Sequence, residues 1–301
     1  MIKQEINELK RLYTPSNCSI TRICGCYVDG EKNKKTEFKE AFLSLPEEEI
    51  FKYFELLRKT LSGSLGKNLL NLDFPLASEQ EGGTQAALLA LRDSKLKDDA
   101  LIEEFYDRVI NTYEYVGNYL ILLIHDAYDV PGKTTDGLTM DDASDTVFEY
   151  IMCCICPVNL SKPGLSYDNI NNEFHNRIRD WVVEMPETGF LFPSFNDRAT
   201  DIHSTLFYSK NPEEAHSEFV ENILGCTMPL SAGTQKEAFQ ALIEETLGDE
   251  VEYEVVKNIH ENLTEMIEEH KEIPEPLTLD KHQEIGRAHV RTPVTGSNLV
   301  C

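Results

Sequence analysis

Two apolar stretches limit what this chain can fold into. The first, Asn118 to Asp126, contains the unbroken apolar run Tyr119 to Ile124, and the second extends from Val147 to Val158. Short continuous apolar runs bounded by turn residues are typical of buried strands. Both are far shorter than the roughly 20 residues that a helix needs to cross a bilayer. The sequence therefore predicts two fully buried strands.

Further strands are predicted in groups with hairpin spacing. Asp29-Gly30 separates Ser19–Val28 from a return strand near Thr36–Phe42, and Asp-Gly between β-type runs is a strong hairpin signal. A capping box at Ser44–Glu47 predicts the start of a helix. The remaining strands are predicted near 68–74, 179–184, 189–195 and 202–209, and helices near 84–91, 98–115 and 211–225. Grouped strands favour an α+β fold with a largely antiparallel β-sheet and packed helices.

The domain organisation has three parts. Residues 1–225 are predicted to form the α+β domain. Residues 226–284 read as a helical segment with a C-terminal helix pair, and we expect it to begin a truncated C-terminal part. Residues 285–301 contain two arginines and no acid, show no periodicity, and resemble a translated sequencing adapter, so we expect a non-native tail. Without it the net charge changes from −25 to −27 and seven cysteines remain.

The charge narrows the range of partners. The chain has 53 acidic and 28 basic residues, and a polyanion is repelled by nucleic acid and by anionic membranes. The sequence therefore predicts no nucleic-acid and no membrane partner. We expect no signal peptide, and the cysteine number is odd without the tail, so the sequence predicts reduced thiols and a soluble cytoplasmic protein.

Cysteines give the sharpest candidate site. Cys24 and Cys26 alternate on one predicted strand, and Cys154 and Cys156 alternate on another, so each pair shares a face. If the two strands were neighbours, four sulfurs could meet as in a zinc or iron–sulfur site, or pair as redox thiols. An extended Cys-x-Cys fits a tetrahedral site poorly, and ordinary buried core thiols are the favoured interpretation. No cofactor is predicted.

A second candidate lies at the end of the first buried strand. His125 and Asp126 would emerge there together, and a histidine beside a carboxylate can perform acid–base chemistry. The alternative is that any strand leaving a core carries polar residues at its end. No nucleophile motif of the form Gly-x-Ser-x-Gly accompanies the pair.

Two stretches are dense in residues that favour interfaces. Asn159–Tyr167 is one, and Arg177–Arg198, which holds the only tryptophan, is the other. Aromatic residues together with arginine are enriched at protein interaction surfaces. A packed hairpin is the favoured alternative for this region.

Several blocks of the chain carry a family resemblance. They begin at Ile20-Thr-Arg-Ile-Cys-Gly-Cys, Tyr119-Leu-Ile-Leu-Leu-Ile-His-Asp and Cys154-Ile-Cys-Pro-Val-Asn, and a fourth extends from Trp181 to His203. The chain resembles an uncharacterised bacterial family, domain of unknown function 4317, over residues 1–284. The resemblance implies a cytoplasmic setting and members that continue past residue 284, and it supplies no activity, cofactor or site residues.

Two functions remain open at this point. The favoured one is a non-catalytic protein acting through protein–protein contacts, with a basic partner suggested by the charge and the oligomeric state undetermined. The alternative is an enzyme of unrecognised type. It would use His125 and Asp126, or a metal or redox site at Cys24, Cys26, Cys154 and Cys156.

Overall fold

The computed structural model describes residues 1–133, 139–140, 146–212 and 216–229. Met1–Met228 forms one compact unit, and Pro229–Cys301 is assigned to a second one. Apart from Pro229, the second unit lies outside the described residues. The predicted C-terminal helix pair, the tail at 285–301 and the boundary at residue 225 therefore stay predictions.

The described strands come in groups, with helices between and after them. The strands are β1 Ile20–Val28, β2 Lys34–Ala41, β3 Leu69–Asp73, β4 Asn118–Asp129, β5 Gly132–Lys133, β6 Thr139–Met140, β7 Val147–Leu160, β8 Leu165–Asp168, β9 Glu173–Asn176, β10 Trp181–Val183, β11 Thr188–Phe192, β12 Ser194–Asn196, β13 Ala199–Asp201 and β14 Ser204–Ser209. The helices are α1 Lys3–Lys10, α2 Glu47–Thr60, α3 Thr84–Asp93, α4 Asp99–Thr112 and α5 Ser217–Phe219. A 3-10 turn covers Phe42–Ser44, and α5 continues as a π-helical turn, Val220–Leu224.

One large antiparallel sheet organises Met1–Met228. Its strand order is β2-β1-β4-β7-β11-β14-β3, with β10 paired to β7, and every described pairing in it is antiparallel. The predicted α+β class with a largely antiparallel sheet is therefore confirmed. The two apolar stretches became β4 and β7, which pair with each other near the middle of the sheet.

Helices cover both faces of this sheet. Apolar residues of α1 and α2 pack in one core cluster with Leu122 and Tyr150. Those of α3, α4 and α5 pack in a second cluster with Ile121 and Ile151. Since neighbouring residues of a strand point to opposite faces, β4 and β7 must be apolar at nearly every position, which explains their unbroken runs.

Three local predictions were wrong. Ser44 does not cap α2, because its hydroxyl donates to the carbonyl of Ala41 (2.6 Å), and Pro46 occupies the N-cap without a side-chain bond. The strand predicted near 189–195 is divided into β11 and β12 at Pro193, whose nitrogen has no hydrogen to donate to a ladder. Residues 165–176 form a hairpin, β8 and β9, where no strand was predicted.

A glycine allows the sheet and α2 to approach closely. A Cβ atom at Gly189 would overlap the backbone oxygen of Cys153 and lie 2.9 Å from Cγ2 of Thr60. Thr60 ends α2, and its hydroxyl lies 3.1 Å from the sulfur of Cys154. Any side chain at Gly189 would therefore push α2 or β7 away.

We predict that Gly189→Ala destabilises the protein by about 1–3 kcal/mol, the usual cost of overpacking a core. Gly164→Ala is the matched control, because a Cβ there meets nothing within 4 Å. Urea unfolding followed by circular dichroism measures both. Equal effects of the two substitutions would contradict the close contact at Gly189.

Candidate functional site

The structure separates the two cysteine pairs. Each pair shares a face as predicted, but β4 lies between β1 and β7, so the two cysteine strands are not neighbours. Cys24 and Cys26 belong to the cluster under α3 and α4, whereas Cys154 and Cys156 belong to the cluster under α1 and α2. The four sulfurs therefore do not come together.

The environment of these thiols is that of a core. All four are buried and free, and burial raises the pKa of Cys26 and of Cys154 to about 12. Burial also raises the pKa of Cys24 and places that of Cys156 well above its usual value. A thiol must lose its proton to attack or to bind a metal, so these side chains are held in the unreactive form at neutral pH. Among the described residues, no group of three or more His, Cys, Asp or Glu is placed to hold a metal ion.

His125 and Asp126 lie inside β4 and not at its end. The strand continues to Asp129, and both residues are fully buried. Because they are consecutive on a strand, their side chains point into opposite layers. His125 faces Glu149 and the basic end of α3, whereas Asp126 faces Tyr150 and Tyr13. The structure thus does not bring the predicted acid–base pair together, because the two side chains lie on opposite faces of the sheet.

The His125 ring is fixed at one nitrogen only. Its Nδ1 lies 2.7 Å from the hydroxyl of Thr21, which donates its own hydrogen to the His125 carbonyl (3.2 Å). When Thr21 donates to this carbonyl, Nδ1 is the protonated nitrogen and donates to the hydroxyl. Nε2 is buried without a hydrogen bond, 3.9 Å from a carboxylate oxygen of Glu149, which Lys95 binds at 2.9 Å.

Burial lowers the pKa of His125 to about 4. The folded protein therefore holds this ring neutral while the unfolded chain, with an ordinary pKa of 6.5, takes up a proton as the pH falls. Stability from the neutral ring is complete above pH 6.5 and is lost as the pH falls towards 4, by about 3 kcal/mol in all.

We predict that His125→Asn removes this part of the pH dependence. An asparagine amide can still donate to Thr21 but does not titrate. The measurement is the difference in unfolding free energy between wild type and variant across pH 4 to 7. His203→Asn is the control: that ring is exposed and bonded to Glu79, which raises its pKa, so its contribution has the opposite sign. A difference that does not change with pH would contradict the buried neutral ring.

Asp126 ends a buried chain of hydroxyl groups. Tyr150 donates to its carboxylate at 2.6 Å, and the amide of Ala127 donates to the other oxygen at 2.8 Å. Since Tyr150 gives its hydrogen to Asp126, Tyr13 donates to Tyr150 (3.0 Å). Burial raises the pKa of Asp126 and places the pKa values of both tyrosines well above their usual range. This series of hydrogen bonds connects the segment after α1 to the sheet. None of its three side chains is exposed.

We predict that Tyr150→Phe costs about 2–3 kcal/mol, because it leaves a buried carboxylate short of a donor. Tyr13→Phe should cost about 1 kcal/mol, since only a hydroxyl loses its partner. Tyr106→Phe is the control, because the Tyr106 hydroxyl is buried without any bond and its removal should be neutral or stabilising. Urea unfolding at pH 7 measures all three, and a different order would contradict the proposed direction of the bonds.

The largest uncovered feature is an arm, which we define as residues 160–185. Its two sides pair from Val158–Leu160 with β10, through Ser161 with Asp180, to the β8–β9 hairpin. Ten of the seventeen exposed large apolar side chains among the described residues lie in it: Leu160, Leu165, Tyr167, Ile170, Phe174, Ile178, Trp181, Val182, Val183 and Met185.

Only part of the aromatic-rich sequence lies on this exposed surface. In the stretch Arg177–Arg198, the residues up to Met185 are exposed, whereas Phe190, Phe192 and Phe195 are fully buried. In the stretch Asn159–Tyr167, every residue is exposed or half-buried, and all but Asn159 belong to the arm. The density of aromatic residues alone does not distinguish the exposed part of the stretch Arg177–Arg198 from its buried part.

Taken together, the fold is a three-layer α+β protein with a central antiparallel sheet, buried candidate residues and one uncovered apolar arm. The sequence profile of the family described as domain of unknown function (DUF4317) matches residues 1–288, and the chain belongs to this family. No curated protein matches the chain. Among the described residues, no helix combines the length and the apolar character needed to cross a membrane.

Proposed function

We propose that this protein acts through protein–protein contacts made by its arm. The observation that carries the proposal is the apolar face of the β8–β9 hairpin, which no other described element covers. Leu165, Tyr167 and Phe174 lie on this face and are 76, 53 and 73 % exposed. An isolated two-stranded hairpin is marginally stable in water, so such a face needs a covering surface.

The register gives the hairpin one largely apolar face and one polar face. Leu165 lies opposite Asn176 and Tyr167 lies opposite Phe174, so these four side chains share one face. The two aromatic rings lie 5.2 Å apart between centroids. The other face has only polar side chains: Ser166, Asp168, Glu173 and His175. This separation is typical of a strand pair with one face turned towards a partner.

The gain from covering the apolar face is substantial. Full burial of a large apolar side chain contributes about 1.5–3 kcal/mol relative to exposure. Single exposed apolar residues are normal on any protein, but a contiguous group of them marks an interaction surface. The other exposed apolar residues in the described part of the chain, such as Leu43, Leu76 and Val116, lie on separate elements or loops.

We also propose that the protein is cytoplasmic. Seven cysteines in the described ranges are free, and six of them are buried, as expected of a protein kept in a reducing compartment. The net charge of −25 favours a protein partner, because nucleic acids and anionic membranes would be repelled.

The test is photo-crosslinking in living cells. A photoreactive amino acid is placed at Phe174 in the arm, and, as a matched control, at Leu76, which is 80 % exposed on the body. We expect a discrete crosslinked protein from position 174 and none from position 76. Absence of any discrete product at 174 would refute the arm as a contact surface.

A further inference from the structure

We infer that the apolar face of the β8–β9 hairpin binds the same face of a second copy of this chain, which makes the protein a two-fold symmetric dimer. The inference rests on the proposed function, since it names the partner of that surface. It is carried by three observations: the charge of the face, the apolar area of the arm to which it belongs and the pattern of residues on the face.

The charge of the face suits a second copy. The whole chain carries −25, whereas the arm has three basic and four acidic residues, and the apolar face of its hairpin has no charged side chain. Two polyanions can come together without juxtaposing like charges only through a neutral surface. A basic partner, by contrast, would be recognised by acidic groups on the contact face, and Leu165, Tyr167, Phe174 and Asn176 supply none.

The area matches what a dimer needs. The ten exposed apolar side chains of the arm present on the order of 1,000 Å² of accessible surface, at up to about 250 Å² for the largest. A stable interface of standard size buries about 800 Å² on each partner, whereas the largest apolar patch of a typical monomer covers about 300–600 Å². The arm as a whole therefore has enough apolar surface for one two-fold contact, and the hairpin face supplies three of the ten side chains.

The pattern of residues is self-complementary. The tilted aromatic pair, Tyr167 and Phe174, lies beside Leu165 and Asn176 on the same face. In a two-fold contact each residue is used twice, and two such faces would stack at about 10 Å, as sheets do in a sandwich. Aromatic anchors in the middle of a contact contribute most of the binding energy in typical interfaces.

Sedimentation velocity of the full chain over a range of concentrations tests the inference. We expect the wild type to approach twice 34.3 kDa as concentration rises. Leu165→Lys and Phe174→Ser should each weaken the dimer by at least tenfold in Kd. Ser166→Lys is the matched control: it adds the same charge to the neighbouring residue on the polar face and should leave the Kd unchanged.

The salt dependence of dimerisation is an independent test. Between two chains of equal negative charge, repulsion weakens as ionic strength rises from about 0.01 M to about 0.15 M and its range falls from about 30 Å to about 8 Å. The dimer should therefore tighten with salt. Circular dichroism and thermal unfolding of each variant show whether the body stays folded, which the arm's separation from both core clusters leads us to expect.

The outcomes distinguish the contact function of the arm from the formation of a dimer. A wild type that stays monomeric overturns the dimer, and so does a dimer that neither Leu165→Lys nor Phe174→Ser weakens. If the chain is monomeric but Phe174 crosslinks to a different protein in cells, the proposed contact function stands and the second copy does not. If the chain is monomeric and Phe174 gives no product, both fail.

Discussion

The pairing of β4 with β7 is the constraint on which the rest of this structure depends. The two strands pair from Asn118 opposite Val158 to Asp129 opposite Val147, and both faces of the pair are covered by helices. In a ribbon buried on both sides an unpaired polar group costs free energy, and several of the polar groups it carries have a local partner. Asp126 has Tyr150 and Ala127, His125 has Thr21, and Cys154 has Thr60.

Strand alternation in this ribbon decides what its polar residues can do together. Neighbours in sequence are assigned to different layers, so His125 and Asp126 are separated by the sheet itself. The same rule, with β4 inserted between β1 and β7, places Cys24 and Cys156 on opposite sides. Residue types that would suit catalysis or metal binding in a loop lie here among core side chains, where burial disfavours their charged forms.

Much of the fold could be predicted from the sequence, because local patterns report local structure. The runs at Asn118 and Val147 gave both central strands, and Asp29-Gly30 gave the first hairpin. Strand order is not local, so no pattern in the chain could say that β4 separates the cysteine strands. Nor could it show that three more residues after Asp126 stay in the sheet. Strand order separates the two cysteine pairs, and the longer strand keeps both His125 and Asp126 inside the sheet.

The arm is where the sequence and the fold disagree most about burial. Phe190 and Phe174 are the same residue type, sixteen positions apart, yet one is in the core and the other is 73 % exposed. The difference follows from topology: β11 has neighbours on both edges, whereas the β8–β9 hairpin extends beyond them with only itself to pair. An apolar face that the chain's own sheet does not cover, on a surface of otherwise high negative charge, is most simply satisfied by another neutral apolar face.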